Sequence, residues 1–375
     1  MTESNREYGR TLAKGIAAYA HERGDWRLKM ISPRDLAGRR PFRDCDGIIA
    51  RAADPATWRR LERLGIPVID AFADRKSSDC ASVDCDHDAI AEMAAKFFLG
   101  RGYRCFAFCG YRGTHFSDRR AAAFASALKA RGFSVEIFDA ARPPDDDIIF
   151  GERTDLSSVD PTLKKWLAAL ESDTAVFCAN DRKACEIISI AVELGRRVPE
   201  DLAVLGVDDD TLVCSFAPVP ISSIDPNPFA VGYAAARLLD AAMSGPVRSK
   251  RRRVFKLRPG KLVERTSTRH YPIDPPWLSE LLDFIHANLR QRIFPADVIA
   301  RSGLSHPTVE RAFRNNFGKT LSRYLMDVKL DEAERLLQTG ELNCREIAAA
   351  TGFNTPQYFS ECYRRRFGHP PGSGD

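Results

Sequence analysis

Apolar residues follow two rhythms along this chain, one before residue 270 and another after 276. In the first part, short continuous apolar runs at residues 26–31, 47–50, 67–72, 105–109, 135–138, 175–178 and 202–207 alternate with helical stretches. Such runs predict parallel strands covered by helices on both faces. Their number and spacing predict two Rossmann-like α/β lobes, the first ending near residue 85 and the second beginning near 104, with crossings near 84–87 and 221–225. A helix is predicted over residues 5–22, burying Leu12, Ile16, Ala17, Tyr19 and Ala20. The last long helix closes at Gly245 and Pro246, after which Val254, Phe255 and Leu257 return as a strand.

The second rhythm is helical throughout. Prolines at 272, 275 and 276 make residues 270–276 a stiff linker between an α/β part, 1–269, and an all-α domain, 277–375. Within the latter one pattern is written twice. The first copy runs Val298, Ile299, Gly303, Leu304, Ser305, Phe313, Phe317, Gly318; the second runs Ile347, Ala348, Gly352, Phe353, Tyr363, Phe367, Gly368. A short buried helix, a tight glycine turn and a second amphipathic helix are what a helix-turn-helix requires. Ser305 stands at the cap of the first reading helix, which presents His306, Thr308, Glu310, Arg311 and Arg314 outward and turns Val309, Ala312 and Phe313 in. Thr355 opens the second, which presents Gln357, Ser360, Glu361 and Arg364 and sends Tyr358, Phe359 and Tyr363 to the core. A long helix over 321–338 joins the two units, and Asn343 with Glu346 has the spacing of a capping box. Arg311, Arg314, Lys319, Arg323 and Arg364 to Arg366 are the clusters offered to phosphates, unless Arg311 and Arg314 pair with acids on the joining helix.

Composition narrows the class. The 375 residues are 44% hydrophobic and 29% charged, with a mean hydropathy of −0.30 and no run of eighteen apolar residues, so no membrane span is expected. The start lacks a signal peptide's apolar core, which makes the cytoplasm the expectation. The ten cysteines lie mostly in apolar runs and read as reduced core thiols; none has zinc-site spacing, so no metal and no cofactor is expected. Ten basic side chains against Glu264 alone, between residues 245 and 270, account for the net charge of +5. That segment is either a solvated loop or a phosphate-facing one. Residues 271–375 hold 13 basic and 13 acidic side chains, so DNA binding there rests on local clusters. No Walker loop, Ser-His-Asp arrangement or Gly-x-Gly-x-x-Gly occurs, and an enzyme is not expected.

Ligands of open parallel sheets sit beyond the carboxyl ends of the strands. Three predicted strand ends carry polar groups: Asn180 and Asp181, Asp208 to Asp210, and the loop 116–120 with Arg120. Singly, Asn180 or Asp181 is a helix cap, Arg120 a surface residue and Asp209 a turn former; jointly they outline a site for hydroxyl-rich ligands.

Residues 163–209, with Phe177 to Asp181, Val198 to Val204 and Gly206 to Asp209, resemble the periplasmic-binding-protein-like sensor of LacI/GalR-type regulators, and the likeness covers most of 5–269. It implies that Arg120, Asn180 and Asp208 hold a sugar. The family's sensor begins with a strand that this chain lacks before the helix at Asn5, so either the true start lies upstream or the first lobe is impaired. Residues 277–371 resemble the AraC/XylS-type DNA-binding domain, with its signature over 347–370; Ile299 and the tail from Pro370 depart from the usual pattern. Together the two resemble the xylose-regulator group. That resemblance implies a sugar-responsive regulator of pentose (xylose-like) catabolism genes. Its partners would be double-stranded DNA read in two successive major-groove faces, a sugar effector and a second copy in a homodimer, with RNA polymerase a further candidate. The alternatives are a cysteine-based alkyl-transfer protein using Cys344 or Cys362, and a sugar-binding module with a vestigial DNA domain.

Overall fold

The computed structural model describes residues 6–31, 42, 44–51, 55–72, 80–140, 160–245, 254–273, 275, 277–339 and 342–372. The chain forms two compact units, residues 1–97 with 104–269, and 98–103 with 270–375. No helix among the described residues is long and apolar enough to cross a membrane.

The first unit holds two sheets. After helix α1 (Glu7–Arg23) come β1 (Ile48–Ala50), α2 (Pro55–Glu62), β2 (Val68–Asp70), β3 (Ser82–Cys85) and α3 (His87–Gly100). Then follow β4 (Cys105–Tyr111), α4 (His115–Lys129), β5 (Glu136–Ala140), α5 (Pro161–Ala169), β6 (Thr174–Cys178), α6 (Asp181–Glu193), β7 (Leu202–Val207), α7 (Thr211–Phe216) and β8 (Ser222–Ile224). The unit ends with α8 (Pro228–Met243), β9 (Val254–Leu257) and β10 (Leu262–Val263).

One sheet has the order β1-β2-β3-β9 and is parallel throughout; the other has the order β10-β8-β7-β6-β4-β5, with only β10 antiparallel. Because β9 pairs with β3 and β10 with β8, the chain passes between the lobes a third time, at residues 258–261. The second lobe's core is filled by Val176, Leu202, Val204, Ile187 and Ile188, with Cys109 and Cys178 packed among them as small apolar groups. All ten thiols are free, and burial pushes that of Cys178 well up.

In the first lobe α1 lies directly against α8. A Cβ at Gly15 would come within 2.1 Å of the Phe229 carbonyl oxygen, and one at Gly232 within 2.0 Å of the Leu12 oxygen, so the missing side chains are what let the backbones meet. Tyr19 donates to Asp240 at 2.7 Å across the same contact. Leu12 and Ala20 are buried as the periodicity predicts, whereas Ile16, Ala17 and Tyr19 are half-buried.

The run at 26–31 forms no strand. Arg27 and Lys29 interrupt it, leaving no continuous apolar face for a covered sheet, and Leu28 and Met30 stand exposed, the latter at 60%. Residues 1–5, before α1, lie outside the described residues, as do residues 246–253 of the basic segment.

The second unit is helical: α9 (Trp277–Ala287), α10 (Pro295–Ser302), α11 (His306–Phe317), α12 (Leu321–Thr339), α13 (Cys344–Ala350) and α14 (Pro356–Phe367). It has two cores strung on α12. Leu321, Tyr324 and Leu325 join Leu278, Leu282, Val298 and Phe313 in one. Leu330, Ala333 and Leu336 join Ile347, Phe359 and Tyr363 in the other. Gly303 and Gly352 take φ of 65° and 71°, left-handed values that close each turn without steric cost. Asn343 and Glu346 form the predicted capping box, the Asn343 N–H donating to Glu346 at 2.8 Å. Ile299 is half-buried against the first core.

Candidate functional site

In the first unit the carboxyl ends of strands from both sheets face one cleft. The first lobe supplies Arg6 and Tyr8 at the start of α1, Arg51 after β1, Phe72 after β2, Asp84 and Cys85 at the end of β3, and His87 at the start of α3. The second supplies Phe116 and Arg120 from α4, Asn180 after β6 and Asp208 after β7. Arg120, Asn180 and Asp208, separated by up to 88 positions in the chain, are thus brought together. Sequence reasoning missed the first-lobe residues. The strand-end rule that found Asn180 and Asp208 would have found Arg51, Phe72 and Asp84 had it been applied to β1, β2 and β3.

Arg120 is 2% exposed and not a surface residue. One terminal nitrogen donates to the Ala179 carbonyl, the guanidinium stands 5.3 Å from the Phe116 ring centre, and its buried Nε–H meets no acceptor among the described residues. Asn180 is a helix cap as well as a lining residue: its Oδ1 accepts the Lys183 N–H at 3.0 Å. Asp181 is not a lining residue. Its buried carboxyl accepts from Ser223 Oγ at 2.6 Å and from the Asp210 N–H at 2.9 Å, bracing the loop after β7. Burial first, and then the neighbouring Asp208, raise it well above the ordinary carboxyl range.

Asp208 sits at φ 118° and Asp209 at φ 46°, a bend that aims the first carboxyl into the cleft. Asp209 instead pairs with Arg265 at 2.7 Å and is not among the described residues that line the cleft. Burial pushes the Asp208 carboxyl up to about 6, against the pull of Arg120, Arg51 and Arg6.

Burial also drives His87 below its ordinary value despite Asp84, so its ring is neutral. A neutral ring donating from Nε2 to Asp84 Oδ2 at 3.1 Å can accept the Cys85 thiol at Nδ1, 3.5 Å away. For Asp84, burial is outweighed by His87, the Cys85 N–H and Arg51, which hold the carboxyl below its usual value and therefore ionised. With His115 these residues place three donor atoms within 4.8 Å of one another, a grouping that no sequence spacing announced. Its spacing suits a metal ion, but Arg51 acts on Asp84 and Arg120 on His87, and both repel a cation.

In the second unit the two reading helices, α11 and α14, present most of the expected side chains. Ser305, His306, Arg311 and Arg314 are exposed on α11, and Thr355, Gln357, Glu361 and Arg364 on α14; Thr308 and Ser360 are half-buried. Ser305 occupies the cap position, but its hydroxyl bonds Thr308 Oγ1 at 2.8 Å and not a backbone N–H. Thr355 does cap, accepting from the Tyr358 N–H at 3.2 Å.

Three expectations need correction. Glu310 is turned inward, its side chain 16% exposed between His306 and Arg314, each 3.9 Å away. Tyr358 is 48% exposed on the reading face, because Phe353 and Phe359 already fill the core position it was given. Arg366 is not offered to phosphates: it pairs with Asp327 at 2.8 Å and Asp331 at 2.6 Å. Asp327 also takes Lys319 at 2.6 Å and Arg323 at 3.2 Å, so three of the expected phosphate partners converge on one acid of α12. Arg311 and Arg314 do not join them, the latter standing beside Glu310 of its own helix.

Comparison with known proteins agrees with both halves of this geometry. Residues 95–268 match a family described as a periplasmic binding protein-like domain, and residues 298–373 match a helix-turn-helix domain. The xylose operon regulatory protein of Haemophilus influenzae is 24% identical over 99% of this chain and 96% of its own length. That of Escherichia coli K12 is 22% identical, over 99% and 94%. The chain thus carries a periplasmic binding protein-like domain followed by a helix-turn-helix domain, and over nearly its whole length it is similar to xylose operon regulatory proteins. The solved structure of the xylose-binding transcription activator xylR shares the fold at a TM-score of 0.62, with 22% identity over 99% of this chain and 95% of that one. A periplasmic binding protein/LacI regulator from Alkaliphilus metalliredigens, complexed with D-xylulofuranose, matches 71% of this chain and 96% of its own at 0.56, with 18% identity. In this regulator, then, the cleft lies in the sensor and α11 and α14 in the DNA-binding domain. Cys362 is buried in the second core, and Cys344 lies 3.7 Å from the Pro371 carbonyl oxygen, the capping box beside it.

Proposed function

We propose that the cleft is the effector site of this regulator, that the effector is a sugar or a close sugar derivative of pentose size, and that occupancy sets operator binding by α11 and α14. The observation that carries this reading is the convergence of Arg51 and Asp84 from one lobe with Arg120, Asn180 and Asp208 from the other on one cleft. A ligand bonded to both groups stabilises one arrangement of the lobes over others. Its differential affinity for that arrangement is the free energy available to shift DNA binding. The relatives named for xylose operons make pentoses the first compounds to try.

The regulator works as a cytoplasmic homodimer, without catalysis, cofactor or metal, and RNA polymerase is a further partner at the promoter. Arg120, Asn180 and Asp208 contact the effector. Ser305, His306, Thr308, Arg311, Arg314, Thr355, Gln357, Ser360, Glu361 and Arg364 face DNA. A thermal-shift screen of pentoses, hexoses and their simple derivatives tests the effector site: stabilisation by a member of this set, lost in Asp208→Ala, is expected. A screen in which the parent responds to none of them contradicts the reading.

A further inference from the structure

We propose that effector occupancy is carried along α3 to the first reading helix, α11, and not to the second, with Arg101 as the positioning residue at the helix's far end. This rests on the cleft being the effector site. Helix α3 starts at His87, which lines the cleft beside Asp84 and Cys85. Asp86 caps it, accepting the Asp88 N–H at 3.1 Å and the Ala89 N–H at 3.2 Å, so its first turn is bonded to the loop that carries those lining residues. The helix holds no proline and no internal glycine, and Ile90, Ala91, Ala94, Ala95 and Phe98 give it a fully buried face. Its 14 residues rise about 20 Å, and with no residue that kinks a helix a displacement at the cleft is delivered over that length.

The far end of α3 belongs to the second unit: residues 98–103 group with 270–375, whereas 97 and 104 group with the sensor. The turn after the helix is closed by backbone bonds from the Arg101 and Tyr103 N–H groups to the Phe98 carbonyl, at 3.1 and 3.2 Å, and from the Gly102 N–H to Leu99 at 3.1 Å. These residues therefore move with the helix. Arg101 is buried, its guanidinium 4.6 Å from the Tyr271 ring centre. Tyr271 in turn stacks on His286 at 5.9 Å. Burial and then Arg101 push that imidazole down to about 3, so its neutral ring can accept the Tyr324 hydroxyl at 3.2 Å. Tyr324 packs on Phe317 at 4.8 Å and Phe313 at 5.3 Å, both on α11. Gly102 offers a shorter path: at its φ of 89° a Cβ would stand 2.6 Å from the Ile273 side chain and 4.0 Å from the Phe317 ring. Tyr271, Ile273, Tyr324, Phe313 and Phe317 all belong to the first core and none to the core that carries α14. A rigid helix followed by contiguous packed rings is an element that can carry coupling free energy between two sites.

The test uses the full chain, with titration calorimetry for D-xylose, D-ribose, L-arabinose and their aldonic acids and fluorescence anisotropy for the operator. In the parent, a compound that binds should change operator affinity ten-fold or more. Arg101→Gln and Tyr271→Leu, each checked by circular dichroism and melting temperature, should bind that compound within two-fold of the parent when DNA is absent, while its effect on operator affinity falls below three-fold. Tyr271→Phe, which keeps the ring between Arg101 and His286, should keep the full response. A merely structural role would lower operator affinity by the same factor with and without the compound and leave the response ratio intact, and that result overturns the inference. Footprinting of the parent locates the effect: the compound should change protection over the half-site that Arg311→Ala leaves unprotected, and an equal change over both halves overturns the route through the first head. A compound that binds the parent and leaves operator affinity unchanged overturns it too, with the effector site intact. Binding of none of the compounds overturns the effector-site reading on which it stands.

Discussion

Arg366, near the end of the second reading helix, forms an ion pair at 2.8 Å with Asp327, in the first half of the helix joining the two helix-turn-helix units. Asp327 is 4% exposed and receives Lys319, just beyond the first reading helix, through its other oxygen at 2.6 Å. Across the same domain Lys329 donates to the Ile293 carbonyl at 2.8 Å, and Arg292 to Asn354 at 3.0 Å. The two reading heads are thus tied by polar bonds, of which that of Lys329 is buried, as well as by their separate cores on one helix.

Removing Asp327 takes a shared, buried partner from three cations, of which Arg366 is the most enclosed and Lys319 and Arg323 are about half exposed. Asp327→Ala should destabilise the DNA-binding domain by about 1–2 kcal/mol, less than a fully buried pair because solvent screens the partly exposed cations. Chemical denaturation measures the loss, and footprinting should show protection reduced to one half of the site. A full footprint at unchanged stability would show that the cores alone hold the two heads.

On the reading faces, Arg311→Ala and Gln357→Ala should each weaken operator binding by about 1–3 kcal/mol, the range of a base contact. Arg364→Ala should weaken all sequences alike and reduce the salt slope by about 1, as loss of one phosphate contact does. Arg366→Ala, by contrast, should act through stability. Gel-shift titrations at several salt concentrations separate the three outcomes.

The raised carboxyl of Asp208 has a defined sign. Its folded value of about 6 lies above the ordinary 3.8, so the folded chain binds the proton more tightly. The stability this contributes is present below about 4 and is lost as the pH rises through about 6. Asp208→Asn should therefore leave the melting temperature unchanged at pH 4 and raise stability at pH 7 by roughly 1–2 kcal/mol. A tenfold change in proton affinity is worth about 1.4 kcal/mol, and solvent at a half-buried group screens part of it. Melting curves across this range check the sign, and a variant less stable than the parent at pH 7 would reverse it.

The repeated helix-turn-helix was legible because its two cores recur at helical spacing around Gly303 and Gly352, where local pattern and tertiary packing agree. The sheets were legible where the strands are buried on both faces, as at β6 and β7. The run at 26–31 was not, because hydrophobicity alone does not show whether a neighbouring strand exists to pair with it. Half of the cleft was hidden for a related reason. Arg51 and Phe72 follow strands of only three residues, whose ends carry little signal, and Arg6, 45 positions before Arg51, reaches the same space only through the fold. Tyr358 and Arg366 were misread because an aromatic or a basic residue on an amphipathic helix can face either side until its neighbours are known.

The most direct test of the central claim, that the cleft controls the reading heads, is a fluorescence-anisotropy titration of an operator duplex selected from random sequence by the full chain. It is run with and without the compound found in the thermal screen. The parent should change operator affinity at least ten-fold on adding that compound, and Asp208→Ala should bind DNA as the ligand-free parent does and not respond. An operator affinity that the compound leaves unchanged in the parent would contradict the account.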